Sequence, residues 1–131
     1  MDTQSVIKYM LYAIAIVALL TGLNVVIGGA TAIPGVTTAV EASVDNELRF
    51  FAVFWLAYGG FCLWVANNLS ERQPFVAFIA LVFFLAGMAR LGSTLLVGNP
   101  GNVLLGAMVV EFILPIAVYF FYLRNNKLKP L

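Results

Sequence analysis

Four long apolar runs, separated by short polar breaks, dominate the chain: about 6–27, 46–67, 74–97 and 102–123. A helix needs about 20 consecutive apolar residues to cross the hydrocarbon of a bilayer, and each run is of that length. A membrane barrel would show short alternating segments instead. The pattern predicts an all-α membrane protein, a single domain over residues 1–131 with four transmembrane helices.

The breaks predict how the helices are joined. Asn67-Asn68-Leu69-Ser70-Glu71-Arg72-Gln73-Pro74 reads as a tight polar turn, with Pro74 suited to the first turn of the third span. Gly98-Asn99-Pro100-Gly101-Asn102 reads as a second turn. Short connections make consecutive helices antiparallel, so the expected architecture is an up-down-up-down four-helix bundle. The first connection, about 28–45, is longer and too polar for lipid. Within it Thr38-Ala39-Val40-Glu41 has capping-box spacing, which predicts a short interfacial helix or turn. The second helix then begins near Ser43, with Asp45 and Glu47 where carboxylates favour the positive helix end. Ala30-Thr31-Ala32 has the small-x-small form of a signal cleavage site. The run before it is longer than the about 7–15 residues of a signal peptide's apolar region, so it is read as a retained span.

Composition narrows the function classes. The chain is 63% hydrophobic and 10% charged, and 131 residues offer too little interior to hide that much apolar surface from water. It contains no histidine and one cysteine, Cys62. Disulfide scaffolds, imidazole or thiolate zinc sites, haem attachment and Ser-His-Asp triads therefore fall away. Cys62, in the middle of an apolar run, reads as a small buried hydrophobe. A net charge of +1 leaves no nucleic-acid footprint, and no nucleotide cofactor is expected.

Charge also orients the chain. Lys8, Arg72, Arg124, Lys127 and Lys129, with Asp2 and Glu71, give one side +3, whereas Glu41, Asp45, Glu47, Arg49, Arg90 and Glu111 give the other −2. The positive-inside rule predicts both termini in the cytoplasm and the long first loop outside.

Counting at about 1.5 Å per residue places Glu111 about 20 Å above the basic boundary, Asn24 about 24 Å and Arg90 about 27 Å. With Arg49 near the outer end of the second helix, every span offers a polar group to the outer third of the membrane. Asn24, Arg49, Arg90 and Glu111 are thus the candidate ligand pocket. An ionisable group at membrane depth normally faces the bundle interior or a wet cavity. For Arg90 and Glu111 two readings stay open: an ion pair that sets helix packing, and an outward pocket that binds a ligand. Pro115 cannot donate to the carbonyl four residues earlier, which leaves the Glu111 backbone oxygen without its helical partner. Carboxylates and free carbonyls suit hard cations. Glu41, Asp45, Glu47 and Glu111 are accordingly the candidate ligands of a divalent cation, calcium in preference to magnesium. Ala18-Leu19-Leu20-Thr21-Gly22, Gly59-Gly60 and Ala89-Arg90-Leu91-Gly92-Ser93 supply small residues that let helices approach closely.

Glu47-Leu48-Arg49-Phe50-Phe51, Phe84-Leu85-Ala86-Gly87-Met88-Ala89-Arg90-Leu91-Gly92-Ser93, Gly98-Asn99-Pro100 and Glu111-Phe112-Ile113-Leu114-Pro115 occur in that order. This series resembles the AciT-like small four-helix bacterial membrane proteins, a family known as a domain of unknown function. The resemblance implies a multi-pass protein of the bacterial inner membrane, linked to envelope integrity and the permeability barrier, with a metal-binding polar pocket. Arg49, Arg90 and Glu111 are the motif positions it carries over; the loop acids fall where the match is poor.

The favoured reading is a non-enzymatic membrane protein whose outward Glu/Arg pocket binds a divalent cation, a small ligand or a lipid head group. Its expected partners are membrane lipid and a small molecule, and homo-oligomers are compatible with it. An oligomeric transporter or channel subunit is the first alternative, although no repeat and no polar inner half provide a path through one bundle. The other is a membrane enzyme using Glu111 as acid or base, for which no nucleophile–base pair or second deep carboxylate is evident.

Overall fold

A computed structural model describes residues 2–127. Lys129, counted above on the basic side, lies outside the described residues. The chain is all-helical: α1 Thr3–Gly28, a 3-10 turn Gly29–Ala32, α2 Ala42–Asn67, a single helical turn α3 Leu69–Arg72, α4 Phe75–Leu96 and α5 Asn102–Lys127. Four of these helices are long and apolar enough to span a bilayer.

Local chemistry sets most boundaries. Asp2 caps α1 by accepting from the Ser5 N–H at 2.6 Å, and that hydrogen bond holds its carboxyl below the usual range. The segment predicted as a polar turn after α2 contains one helical turn, closed by Asn68, whose carbonyl accepts from the Arg72 N–H. Pro74 is the N-cap of α4, as its fixed φ favours. The expected capping box at Thr38–Glu41 does not form. Glu41 is the N-cap of α2 without a side-chain hydrogen bond, and Thr38 lies in a bend. The helical turn of the first loop is Gly29–Ala32 instead, and α2 starts at Ala42.

The helices pack as two pairs, α1 with α2 and α4 with α5, joined mainly through α1 and α5. Small residues make the α1–α2 contact close. A Cβ on Gly59 would come within 3.2 Å of the Ala15 carbonyl oxygen, and one on Gly22 within 3.3 Å of the Ala52 carbonyl oxygen. Gly60 and Gly92, expected at close contacts too, face open space instead.

The buried core lies toward the end that carries α3. It gathers Ile7, Leu11 and Ile14 of α1, Cys62 and Val65 of α2, Val76, Ile79 and Phe83 of α4, and Val118 of α5. Aromatic side chains bridge α2 and α4 there, with Trp55 stacked 6.0 Å from Phe83 and the Tyr58 hydroxyl donating to the Ile79 carbonyl at 2.8 Å. The outer surface remains apolar: Phe50, Phe54, Leu81, Ile113 and Phe120 are all more than half exposed. Lipid-facing helices need that arrangement, since the bilayer is itself an apolar solvent.

Candidate functional site

Two charged centres sit toward the end of the bundle away from α3, one in each helix pair. The first belongs to α1 and α2. The last carbonyls of a helix have no partner within it, and α1 ends at Gly28 with those oxygens in need of donors. Arg49 supplies them, its Nη1 donating to the carbonyls of Val26 at 2.6 Å and Ile27 at 3.1 Å. Its Nε donates to Asp45 Oδ2 at 2.8 Å, and Asp45 Oδ1 accepts from the Ala30 N–H at 2.7 Å. Gly29 makes the clasp possible. Its backbone, at φ 64° and ψ −154°, occupies a region open essentially to glycine alone. A Cβ there would collide with the Asp45 carboxylate and the Arg49 guanidinium. Asn24 closes the same turn, donating to the Ala32 carbonyl at 3.0 Å.

The second centre belongs to α4 and α5. Arg90 Nε lies 2.9 Å from Glu111 Oε1, to which it donates, and 2.8 Å from Oε2. Glu111 is 5% exposed. Oε2 accepts no hydrogen bond among the described residues. Gly87, one turn before Arg90, lets α5 come close at Glu111: a Cβ on it would stand 3.2 Å from that of Glu111 and 3.4 Å from its carbonyl oxygen. The Arg90 side chain keeps 41% exposure, and its two Nη groups have no protein acceptor among the described residues.

Arg90 lies on the α4 stripe that continues Phe83 and Gly87, the stripe that faces the bundle interior. On α2 the matching stripe runs through Phe51, Trp55, Tyr58 and Cys62 at helical spacing. Cys62 and Phe83 are buried, whereas Phe51 is 61% exposed. Beyond the layer of Trp55, Tyr58 and Phe83, no hydrogen bond, ion pair or ring contact joins α2 to α4 among the described residues. Aromatics thus bridge α2 and α4 on the α3 side, and Arg90 stands beyond that layer with its side chain 41% exposed.

These positions correct part of the sequence reading. Of the expected pocket, Arg90 and Glu111 meet, but Asn24 and Arg49 do not join them. Arg49 is taken up by the last carbonyls of α1 and Asn24 by the Ala32 carbonyl of the turn that follows, a demand invisible without the course of the chain after Gly28. The expected cation ligands Glu41, Asp45, Glu47 and Glu111 are not gathered either. Asp45 is bound in the clasp, Glu111 pairs in the other helix hairpin, and Glu41 and Glu47 are exposed. Among the described residues no three acidic, histidine or cysteine side chains assemble. The sequence reading also missed Gly87 and the aromatic layer. The signal was present in the spacing of Phe83, Gly87 and Arg90, and of Trp55 and Tyr58, which places each set on one helix face.

Comparison with curated proteins and with solved structures gave no match. A family profile described as a domain of unknown function, DUF4345, matches residues 6–122.

Proposed function

This chain belongs to the DUF4345 family of domains of unknown function, and we propose that it is a non-enzymatic, multi-pass protein of the bacterial inner membrane that receives an anionic head group at Arg90. The bundle is antiparallel with both termini cytoplasmic, an orientation supported by the charge asymmetry of its two sides. Its role is in envelope integrity, as the resemblance of its motifs to the AciT-like proteins suggests.

One observation carries the ligand reading. Arg90 spends a single N–H on Glu111 and leaves both Nη groups without an acceptor, at 41% side-chain exposure. A guanidinium offers five donors in a fork that matches phosphate and carboxylate. Glu111 holds the arginine by Nε, which turns the unused edge of the fork away from the pair. The aromatic layer below closes the site toward α3, so the ligand enters from the outer side.

The experiment is thermal unfolding of the purified protein with dioleoyl phosphatidylglycerol, dioleoyl phosphatidylcholine or inorganic phosphate. Phosphatidylglycerol should raise the Tm of the wild type. The gain should be smaller in Arg90→Lys, which keeps the charge and loses the fork, and absent in the Arg90→Gln/Glu111→Gln double variant. Stabilisation by inorganic phosphate alone would assign the site to a free anion. An equal response in all three proteins would overturn the reading.

A further inference from the structure

The surroundings of Arg90 limit the charge that its ligand can carry. Of the two guanidiniums toward the end away from α3, Arg49 is committed to the α1 carbonyls and to Asp45, so Arg90 is the one left to meet an anion. Part of its field is already cancelled. Glu111 holds its carboxylate oxygens 2.9 and 2.8 Å from Nε and is 5% exposed, which fixes a negative charge beside the guanidinium where water screens it little. A ligand on the Nη edge stands one guanidinium away from that carboxylate, inside the screening length of about 8 Å at physiological salt. Donors are limited as well. Nε–H is taken by Glu111, and the two Nη groups present the remaining edge of the fork. Thr94, which continues the Arg90 stripe of α4 by one turn, donates its hydroxyl to the Arg90 carbonyl at 2.9 Å. Asn24 donates to Ala32.

We infer that Glu111, acting through Arg90, makes this site select a singly charged phosphodiester head group over a doubly charged phosphomonoester. The inference rests on Arg90 as the head-group receptor and adds the charge class of the ligand. Two energies scale differently with that charge. The attraction of an anion to the ion pair grows in proportion to its charge, whereas the cost of removing its water grows as the square. A lone arginine would offset more of the second charge. An arginine with a carboxylate fixed behind it offers a weaker field, and the quadratic cost then decides against the dianion. Hydrogen bonding points the same way. A phosphodiester has two non-bridging oxygens, which the two Nη groups match. A phosphomonoester has three, and the third finds no guanidinium donor of its own. Leaving a charged oxygen without a partner where water is scarce is costly.

The test is isothermal titration of the whole protein in detergent with two short-chain lipids, dihexanoyl phosphatidylmethanol and dihexanoyl phosphatidate. They differ by one methyl group, which removes one negative charge and one free oxygen. The titration is run at about pH 8.5, where a phosphomonoester, with its second pKa of about 6, carries two charges. Heat that persists in the Arg90→Gln/Glu111→Gln double variant is partition into detergent and is subtracted. The wild type should bind phosphatidylmethanol about tenfold more tightly than phosphatidate, a preference worth ~1.4 kcal/mol. Glu111→Gln keeps the shape of the side chain and removes its charge. It should tighten the binding of both lipids, phosphatidate the more, and reduce the preference to about threefold or less. A carboxylate that only supports the packing would change both affinities alike, so the ratio separates the two roles. Glu111→Met, also uncharged, takes its place if Glu111→Gln does not fold. Equal or tighter binding of phosphatidate by the wild type, or a preference that loss of the carboxylate leaves unchanged, would overturn the inference while Arg90 remained a phosphate receptor. Binding of neither lipid would overturn the head-group reading itself, so the two assignments fail distinguishably.

Discussion

Arg90 binds Glu111 through Nε alone, with one nitrogen 2.9 and 2.8 Å from the two carboxylate oxygens. A bidentate pair would consume two donors of the fork. Contact through Nε alone balances the buried carboxylate equally and leaves both Nη groups available. The burial is unequal as well, with Glu111 enclosed and Arg90 partly exposed. The carboxylate therefore depends on the arginine more than the arginine depends on it.

That dependence gives the first prediction. Arg90→Gln leaves a buried carboxylate without its counter-charge and should destabilise the protein by about 2–3 kcal/mol, less than the about 3–5 kcal/mol for breaking a fully buried pair because Arg90 is partly exposed. Glu111→Gln should cost less, and the double change less than the sum. Thermal unfolding of the four proteins in one detergent closes the cycle. Strict additivity would show that the pair is uncoupled.

The clasp at the end of α1 gives the second. Gly29→Ala puts a Cβ into the Asp45 and Arg49 side chains on a backbone that side chains disfavour, and should cost about 2 kcal/mol or more. Gly60→Ala meets nothing within 4 Å and should be neutral, or stabilising by about 0.5–1 kcal/mol through helix propensity. Similar Tm changes for both would mean that the clasp is not formed.

A third concerns the same loop. Arg49→Ala removes the donors to Val26 and Ile27, so amides of the 26–32 segment should exchange with deuterium about tenfold faster, as for a local loss of ~1.4 kcal/mol. The α4–α5 pair should keep its protection. Faster exchange throughout the chain would identify a global effect instead.

The fourth tests orientation. Thr38 and Asn99 are exposed in the two loops that meet where Gly35 approaches the Pro100 carbonyl. Thr38→Cys and Asn99→Cys should both react with a membrane-impermeant maleimide added to intact spheroplasts. Buried Cys62 should stay silent and serve as the background. Reaction at either loop only after the inner membrane is opened would invert the topology.

Much of this protein was readable along the chain because membrane spans are written in one dimension. Twenty apolar residues must become a helix in hydrocarbon, where every backbone group needs an internal partner. The four spans followed from that alone, as did the burial of Cys62 and the close helix approach at Gly22 and Gly59. The meeting of Arg90 with Glu111 was legible for a related reason: two isolated charges at similar depth in adjacent helices have few other partners. What happened at the helix ends was not legible. Asn24, Asp45 and Arg49 carry the same side chains as ligand groups do, and depth counting places them beside Glu111. Their destination was set by the carbonyls that α1 leaves open at its end and by the Gly29 backbone that turns the chain back toward α2. The four acids of the expected cation site stand apart because Asp45 is held by a backbone N–H and a guanidinium, Glu111 by Arg90 in the other helix pair, and Glu41 and Glu47 are exposed. Depth and hydropathy fix how far along the membrane normal a residue sits. Only the packing of the helices fixes its rotation and its neighbours, and hydrogen bonding at membrane depth is decided by neighbours.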